Sequence, residues 1–165
     1  MKILVISIII ILNVVLQSTI FQFFKIYNVV PNTALILVIA FAIHMGKQKG
    51  AVVGFFIGIL QDILFSQIIG VNALVLMIVG YFVGSMNQKI MRDHLAVPFV
   101  LTVGATVFYE FISVLFLYLL RYQVTILDLF SRVLIIEVAY NAIVSIFVYI
   151  YVSKIFKTKS IRRRY

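Results

Sequence analysis

Residues 46–62 read Gly46-Lys47-Gln48-Lys49-Gly50-Ala51-Val52-Val53-Gly54-Phe55-Phe56-Ile57-Gly58-Ile59-Leu60-Gln61-Asp62. Glycine recurs here at every fourth position, and Asp62 takes the next step of the same series. Residues four apart share one face of an α-helix. A face without side chains lets a neighbouring backbone approach closely, as small-xxx-small stripes do between membrane helices. Gly80 and Gly84 repeat the spacing in the following apolar segment. Gly50, Gly54, Gly58, Gly80 and Gly84 are therefore the expected packing residues of a helix hairpin. Asp62 continues the packed face, so its carboxylate is expected to project into the protein interior and away from lipid.

Outward from this stretch, nearly all of the chain is apolar. Residues of the AVILMFWYC set make up 64% of its 165 residues, and the mean hydropathy is +1.19. A soluble domain is about half apolar. A spanning helix needs roughly 17–25 apolar residues, because a hydrocarbon core of ~30 Å is crossed at ~1.5 Å per residue. Spans are expected at 3–24, 31–45, 50–65, 71–87, 97–120 and 131–153. The fold class is thus all-α: a polytopic six-transmembrane-helix bundle, one membrane domain over residues 1–165, with 154–165 as a basic cytoplasmic tail. Little is left for a soluble domain. Met1-Lys2 followed by Ile3 to Leu16 resembles a signal peptide, but the apolar run continues to Phe24 with no small-x-small cleavage site. It is expected to be an uncleaved first span. Pro31 suits the first turn of the second span. Breaks are expected at 46–49, at Gly70, at 87–95 and at 121–128. Spans two to four are short, which implies locally thinned bilayer or partial burial in the bundle.

Charge orients the chain. With the N-terminus inside, the cytoplasmic segments hold Lys2, Lys47, Lys49, Lys89, Arg92, Lys154, Lys157, Lys159, Arg162, Arg163 and Arg164. The outer segments hold only Lys25, Arg121 and Arg132, and together these are all 14 basic residues. The positive-inside rule then places both termini in the cytoplasm. It also accounts for the net charge of +9 without nucleic acid. A re-entrant hairpin of spans two and three would strand Lys47 and Lys49 at membrane depth, which is costly. The basic tail is an ordinary inner anchor, or a contact for anionic membrane lipid or a cytoplasmic partner.

Polar residues interrupt the spans in stripes. Span one carries Asn13 and Gln17. Span five carries Thr102, Thr106, Glu110 and Ser113; span six carries Glu137, Asn141 and Ser145; Asn72 stands near the start of span four. Spans one, three and five run outward, and spans four and six inward. Gln17, Asp62, Asn72, Glu110 and Glu137 then share one middle-to-outer depth. An acid in lipid costs several kcal/mol unless protonated, paired or hydrated. Three acids at one depth imply that at least one is neutral, or paired with Arg121 or Arg132. Gln17, Asp62, Asn72, Glu110, Glu137 and Asn141 are the candidate residues. They form either a satisfied network that sets helix register or a pocket or groove for a ligand or a partner helix.

Other chemistry is poorly supported. The chain has no cysteine, which excludes disulfides and thiolate metal sites. It has no HExxH, no glycine-rich phosphate loop and no Ser–His pair at membrane depth. His44 and His94 stand apart, at cytoplasmic ends. No enzyme activity and no cofactor are expected.

The same residues carry a resemblance. Leu16-Gln17-Ser18, Pro31-Asn32, the glycine series ending in Asp62, Gly70-Val71-Asn72-Ala73-Leu74, Gly80-Tyr81 with Gly84, Pro98, and Tyr109-Glu110 together resemble the MreD family of bacterial rod shape-determining proteins. Gln61, where an aliphatic residue is expected, and the long basic tail depart from the pattern. The resemblance implies a non-enzymatic plasma-membrane subunit of the cell-elongation complex. Its implied partners are MreC first, then MreB, RodA and a class B penicillin-binding transpeptidase, which direct lateral peptidoglycan insertion and maintain cell shape. The family is also similar in fold to the substrate-binding subunits of energy-coupling-factor vitamin transporters, the alternative reading. The short outer turn from Phe65 to Gly70, and the absence of Trp, favour a protein partner over a vitamin.

Overall fold

The segment that organises the molecule is Thr33–Met45, TALILVIAFAIHM, a helix apolar on every side. Such a helix has no polar face to give to water and is stable only when surrounded. In the computed structural model every residue from Thr33 to Ile43 is buried. The structure describes residues 2–19, 21, 23–25, 27, 29–66, 68–86, 96–120 and 132–161. These form six helices: α1 Lys2–Ser18, α2 Thr33–Met45, α3 Lys47–Phe65, α4 Val71–Ser85, α5 Ala96–Leu119 and α6 Arg132–Ile161. Helix α2 is the central post and packs against α1, α3, α4, α5 and α6. Its 13 residues rise only ~20 Å. Because other helices cover it, that short length exposes no polar backbone to lipid.

The surrounding helices turn large apolar side chains outward. Leu4, Ile8, Ile11, Leu12 and Val15 on α1 are exposed, as are Phe56 and Ile63 on α3, Val100 and Phe111 on α5, and Ile143 and Phe147 on α6. Water does not tolerate an apolar surface on this scale, and lipid does. Lys47–Phe65, Ala96–Phe116 and Leu134–Phe156 are long and apolar enough to cross a membrane, with mean hydropathies of 1.3, 1.9 and 1.9. Leu4–Ser18, Thr33–Met45 and Val71–Ser85 are shorter apolar helices. The chain is an all-α, multi-pass membrane protein.

Helices α3 and α4 form an antiparallel hairpin whose glycine faces meet. A Cβ built on Gly50 would stand 2.6 Å from the Gly80 carbonyl oxygen and 2.8 Å from Ala42 Cβ on α2. One on Gly84 would stand 2.7 Å from Lys47 Cα. Gly54 lies against the backbone of Leu76, and Gly58 against that of Asn72 and Ala73. Lipid tails are as apolar as leucine, so no hydrophobic drive holds two membrane helices together. Close backbone approach supplies dispersion and Cα–H···O contacts in its place.

Several helix ends differ from the expected boundaries, each for a local reason. Helix α1 stops at Ser18 and not at Phe24, although the apolar composition continues; Thr19 still bonds back to Val15, after which Phe21 and Phe24 close a separate turn. Helix α2 begins at Thr33, and Pro31 lies ahead of it: Asn32 is the N-cap, its side chain accepting from the Leu35 N–H at 3.1 Å. The break at 46–49 shrinks to Gly46 alone, whose φ of 83° favours glycine and lets Lys47 open α3. Helix α6 continues through Ile161, because lysines at 154, 157 and 159 end an apolar stretch without ending a helix. The expected breaks at 87–95 and 121–128 lie outside the described residues.

Candidate functional site

All six helices contribute a polar side chain to one cluster, located at the α3–α4 turn end of the bundle. Its most constrained member is Asp62, in the last turn of α3 and 0% exposed. The N-cap of helix α4 is Gly70, in the left-handed region with φ 109° and with no side chain to cap the helix. The first N–H groups of a helix have no intrahelical acceptor. Asp62 fills that gap from the preceding helix. Its Oδ2 accepts from the Gly70 N–H at 2.9 Å and the Ala73 N–H at 3.0 Å, and Oδ1 accepts from the Asn72 N–H at 3.1 Å. A carboxylate here also faces the positive end of the helix dipole. The last glycine-face position of α3 thus holds an anion seat for the next helix.

Asn72 carries the cluster to α5. Its Nδ2 donates to Ser66 Oγ at 2.7 Å, and its Oδ1 accepts from the Tyr109 hydroxyl. Gln17 ties α1 to its neighbours, with Oε1 accepting from Gln61 Nε2 at 3.1 Å and Thr33 Oγ1 at 3.4 Å. Asn141 on α6 is 0% exposed and fully used. Its Oδ1 accepts from the Asn32 N–H at 2.7 Å, and its Nδ2 donates to Thr106 Oγ1 at 3.2 Å and Glu137 Oε1 at 3.5 Å. The polar stripes of α5 and α6 therefore face each other: Thr102, Thr106, Asn141 and Ser145 are all buried.

Glu110 and Glu137 complete the cluster differently. Both are half-buried, and their carboxyl groups face one another across the α5–α6 seam within hydrogen-bonding reach. The Tyr109 hydroxyl lies in the electrostatic field of Glu110, Glu137 and Asp62 together. Glu137 also accepts from Asn141; Arg121 and the Arg132 side chain, expected as pairing partners, fall outside the described residues.

The structure thus brings Gln17, Asp62, Asn72, Glu110, Glu137 and Asn141 to one end of the bundle. It adds residues that sequence reasoning did not place in the site: Asn32, Thr33, Gln61, Ser66, Thr106 and Tyr109. Gln61 was visible as added polarity beside the acid, and its partner is the Gln17 amide. Asn32 stood in the sequence only beside Pro31 at the opening of span two; it caps α2, and its backbone N–H donates to Asn141. No group of three or more His, Cys, Asp or Glu among the described residues is placed to hold a metal ion. The arrangement is one of interhelical hydrogen bonding with a two-carboxyl edge.

No curated protein matches the chain, and no solved structure does. A family model does: the one for the rod shape-determining protein MreD matches residues 1–159, a stretch that takes in all six helices nearly to the end of α6, and the chain belongs to the MreD family.

Proposed function

We propose that this chain is the membrane subunit of the cell-elongation complex that spans the plasma membrane six times, with both termini cytoplasmic, and that it grips MreC at the Glu110–Glu137 edge of the polar cluster. Membership of the MreD family gives the coarser part: a non-enzymatic, multi-pass membrane protein associated with the rod complex and determining rod shape. One contrast carries the finer part. Asp62, Gln17, Asn72 and Asn141 spend their hydrogen-bonding capacity on other helices, whereas Glu110 and Glu137 are half-buried and meet mainly each other. Nearby, the buried Ser113 hydroxyl has no partner among the described residues. A partner helix bringing a basic or amide side chain to this seam gains charge-assisted bonds at low dielectric. The inner members then act as the frame that holds the seam open in one geometry. MreB, RodA and a class B penicillin-binding transpeptidase are the further expected members of the complex.

A vitamin site gains less support. Gln17, Asp62, Asn72 and Asn141 are bonded within the cluster, and a cleft of about 350 Å³ between α4 and α5 has apolar walls, among them Val79, Phe82, Ala105 and Phe108. A ligand pocket needs convergent polar groups as well as space.

The test is Glu110→Gln combined with Glu137→Gln, which keeps volume and removes both acids. The expected result is a roughly tenfold loss of MreC capture, the scale of one or two charge-assisted bonds, with failure to restore rod shape in a depleted strain. Unchanged capture by a variant that melts with the wild type contradicts the docking edge.

A further inference from the structure

The opposite end of the bundle holds a second feature, apart from the proposed docking edge. We propose that the cleft among α1, α2 and α6 binds an anionic phospholipid, with the phosphate at Lys49 and one acyl chain along the face of α1. The cleft has a volume of about 170 Å³ and is lined by Val5, Ile6 and Ile9 of α1, His44 of α2, Lys49 of α3 and Phe156 of α6. That size decides the ligand class. Sites for drug-sized molecules run to roughly 300–1,000 Å³, so this one suits a length of hydrocarbon chain with a small charged head. Its apolar wall continues into the outward face of α1, where Leu4, Ile8 and Leu12 are exposed to lipid.

Charge at this end fits an anion. Lys47, Lys49 and Lys154 are exposed here. The acids among the described residues, Asp62, Glu110 and Glu137, all lie in the polar cluster at the other end. Lys49 stands in the first turn of α3, whose N-cap Gly46 offers no side-chain acceptor, so backbone N–H groups and the helix dipole favour a phosphate beside the lysine. The floor is rigid: the His44 ring is stacked between Tyr149 and Phe156, with centroids 5.2 Å and 5.0 Å away. A free phosphate would use the lysine and leave the apolar wall uncovered; a phospholipid uses both.

The experiment is native mass spectrometry of the purified full chain in detergent, titrated with phosphatidylglycerol and with phosphatidylcholine of the same acyl chains. Phosphatidylglycerol is expected to be retained preferentially. Lys49→Gln is expected to weaken its retention about fivefold, the worth of one lysine at an anionic lipid surface. Ile9→Trp, which fills the chain groove, is expected to weaken it without touching a charge. Lys25→Gln, an exposed lysine away from the cleft, is expected to leave it unchanged. Equal retention of the two lipids overturns the proposal. So does unaltered retention in Lys49→Gln, or complete displacement by inorganic phosphate, which identifies a simple anion site.

Discussion

Replacing Asp62 with leucine is expected to abolish the folded bundle: the variant should fail to appear as a monodisperse species in detergent and should be cleared from cells. The reason is the number of groups that depend on one carboxylate. Three backbone N–H groups at the start of α4 point at its two oxygens, at 2.9–3.1 Å, in a site with 0% exposure. Each buried donor left without an acceptor costs about 1–3 kcal/mol, and bonds to a charged acceptor lie at the upper end. The total for three such donors, about 3–9 kcal/mol, is a large share of the 5–15 kcal/mol that holds a typical domain. Asp62→Asn keeps one acceptor oxygen but aims an NH₂ group at a donor, so an intermediate loss is expected. Thermal melting monitored by size exclusion ranks the three chains, and a melting temperature for Asp62→Leu equal to that of the wild type refutes the anion seat.

The second large effect is expected at Gly54. A single methyl there meets the Leu76 carbonyl group, backbone against backbone, and neither side has a rotamer to yield. The α3–α4 pair must separate or slide, at a cost of about 3 kcal/mol or more for overpacking a tight seam. Gly104 on α5 supplies the control. An added Cβ there meets nothing within 4 Å, so Gly104→Ala is expected to be neutral or to stabilise by up to about 1 kcal/mol through helix propensity. Melting curves for the two alanine variants separate seam packing from a general dislike of alanine. Equal behaviour of the two would show that the glycine faces are not in register.

The hairpin was legible because its signal is periodic. Gly50, Gly54 and Gly58 announce a bare face by spacing alone, and the facing pair Gly80 and Gly84 can be matched to it without coordinates. The meeting of Gln17, Asp62, Asn72, Glu110 and Glu137 at one end of the bundle was legible for a related reason: alternating helix direction fixes which end each residue approaches. What stayed hidden was partner identity. Asp62 binds backbone N–H groups, and every residue type carries those, so no side chain in the sequence advertises them. The split of the cluster into a bonded interior and a two-carboxyl edge was equally hidden, because it depends on the rotation of α5 against α6. The end of α1 was hidden by composition: Phe21, Phe23 and Phe24 are as apolar as the helix before them. The burial of α2 could be stated only as one of two options, since a short apolar helix looks the same whether lipid thins around it or protein surrounds it.

The proposed topology puts the polar cluster beneath the outer face of a chain whose termini are both inside. The chain has no cysteine, so single introduced cysteines report against a silent background. Ile69 is 74% exposed in the turn beside Asp62, and Lys49 is exposed at the opposite end. Labelling of intact cells with a membrane-impermeant maleimide is predicted to modify Ile69→Cys at once and Lys49→Cys only after permeabilisation; the reverse order, or modification of both from one side, contradicts the account.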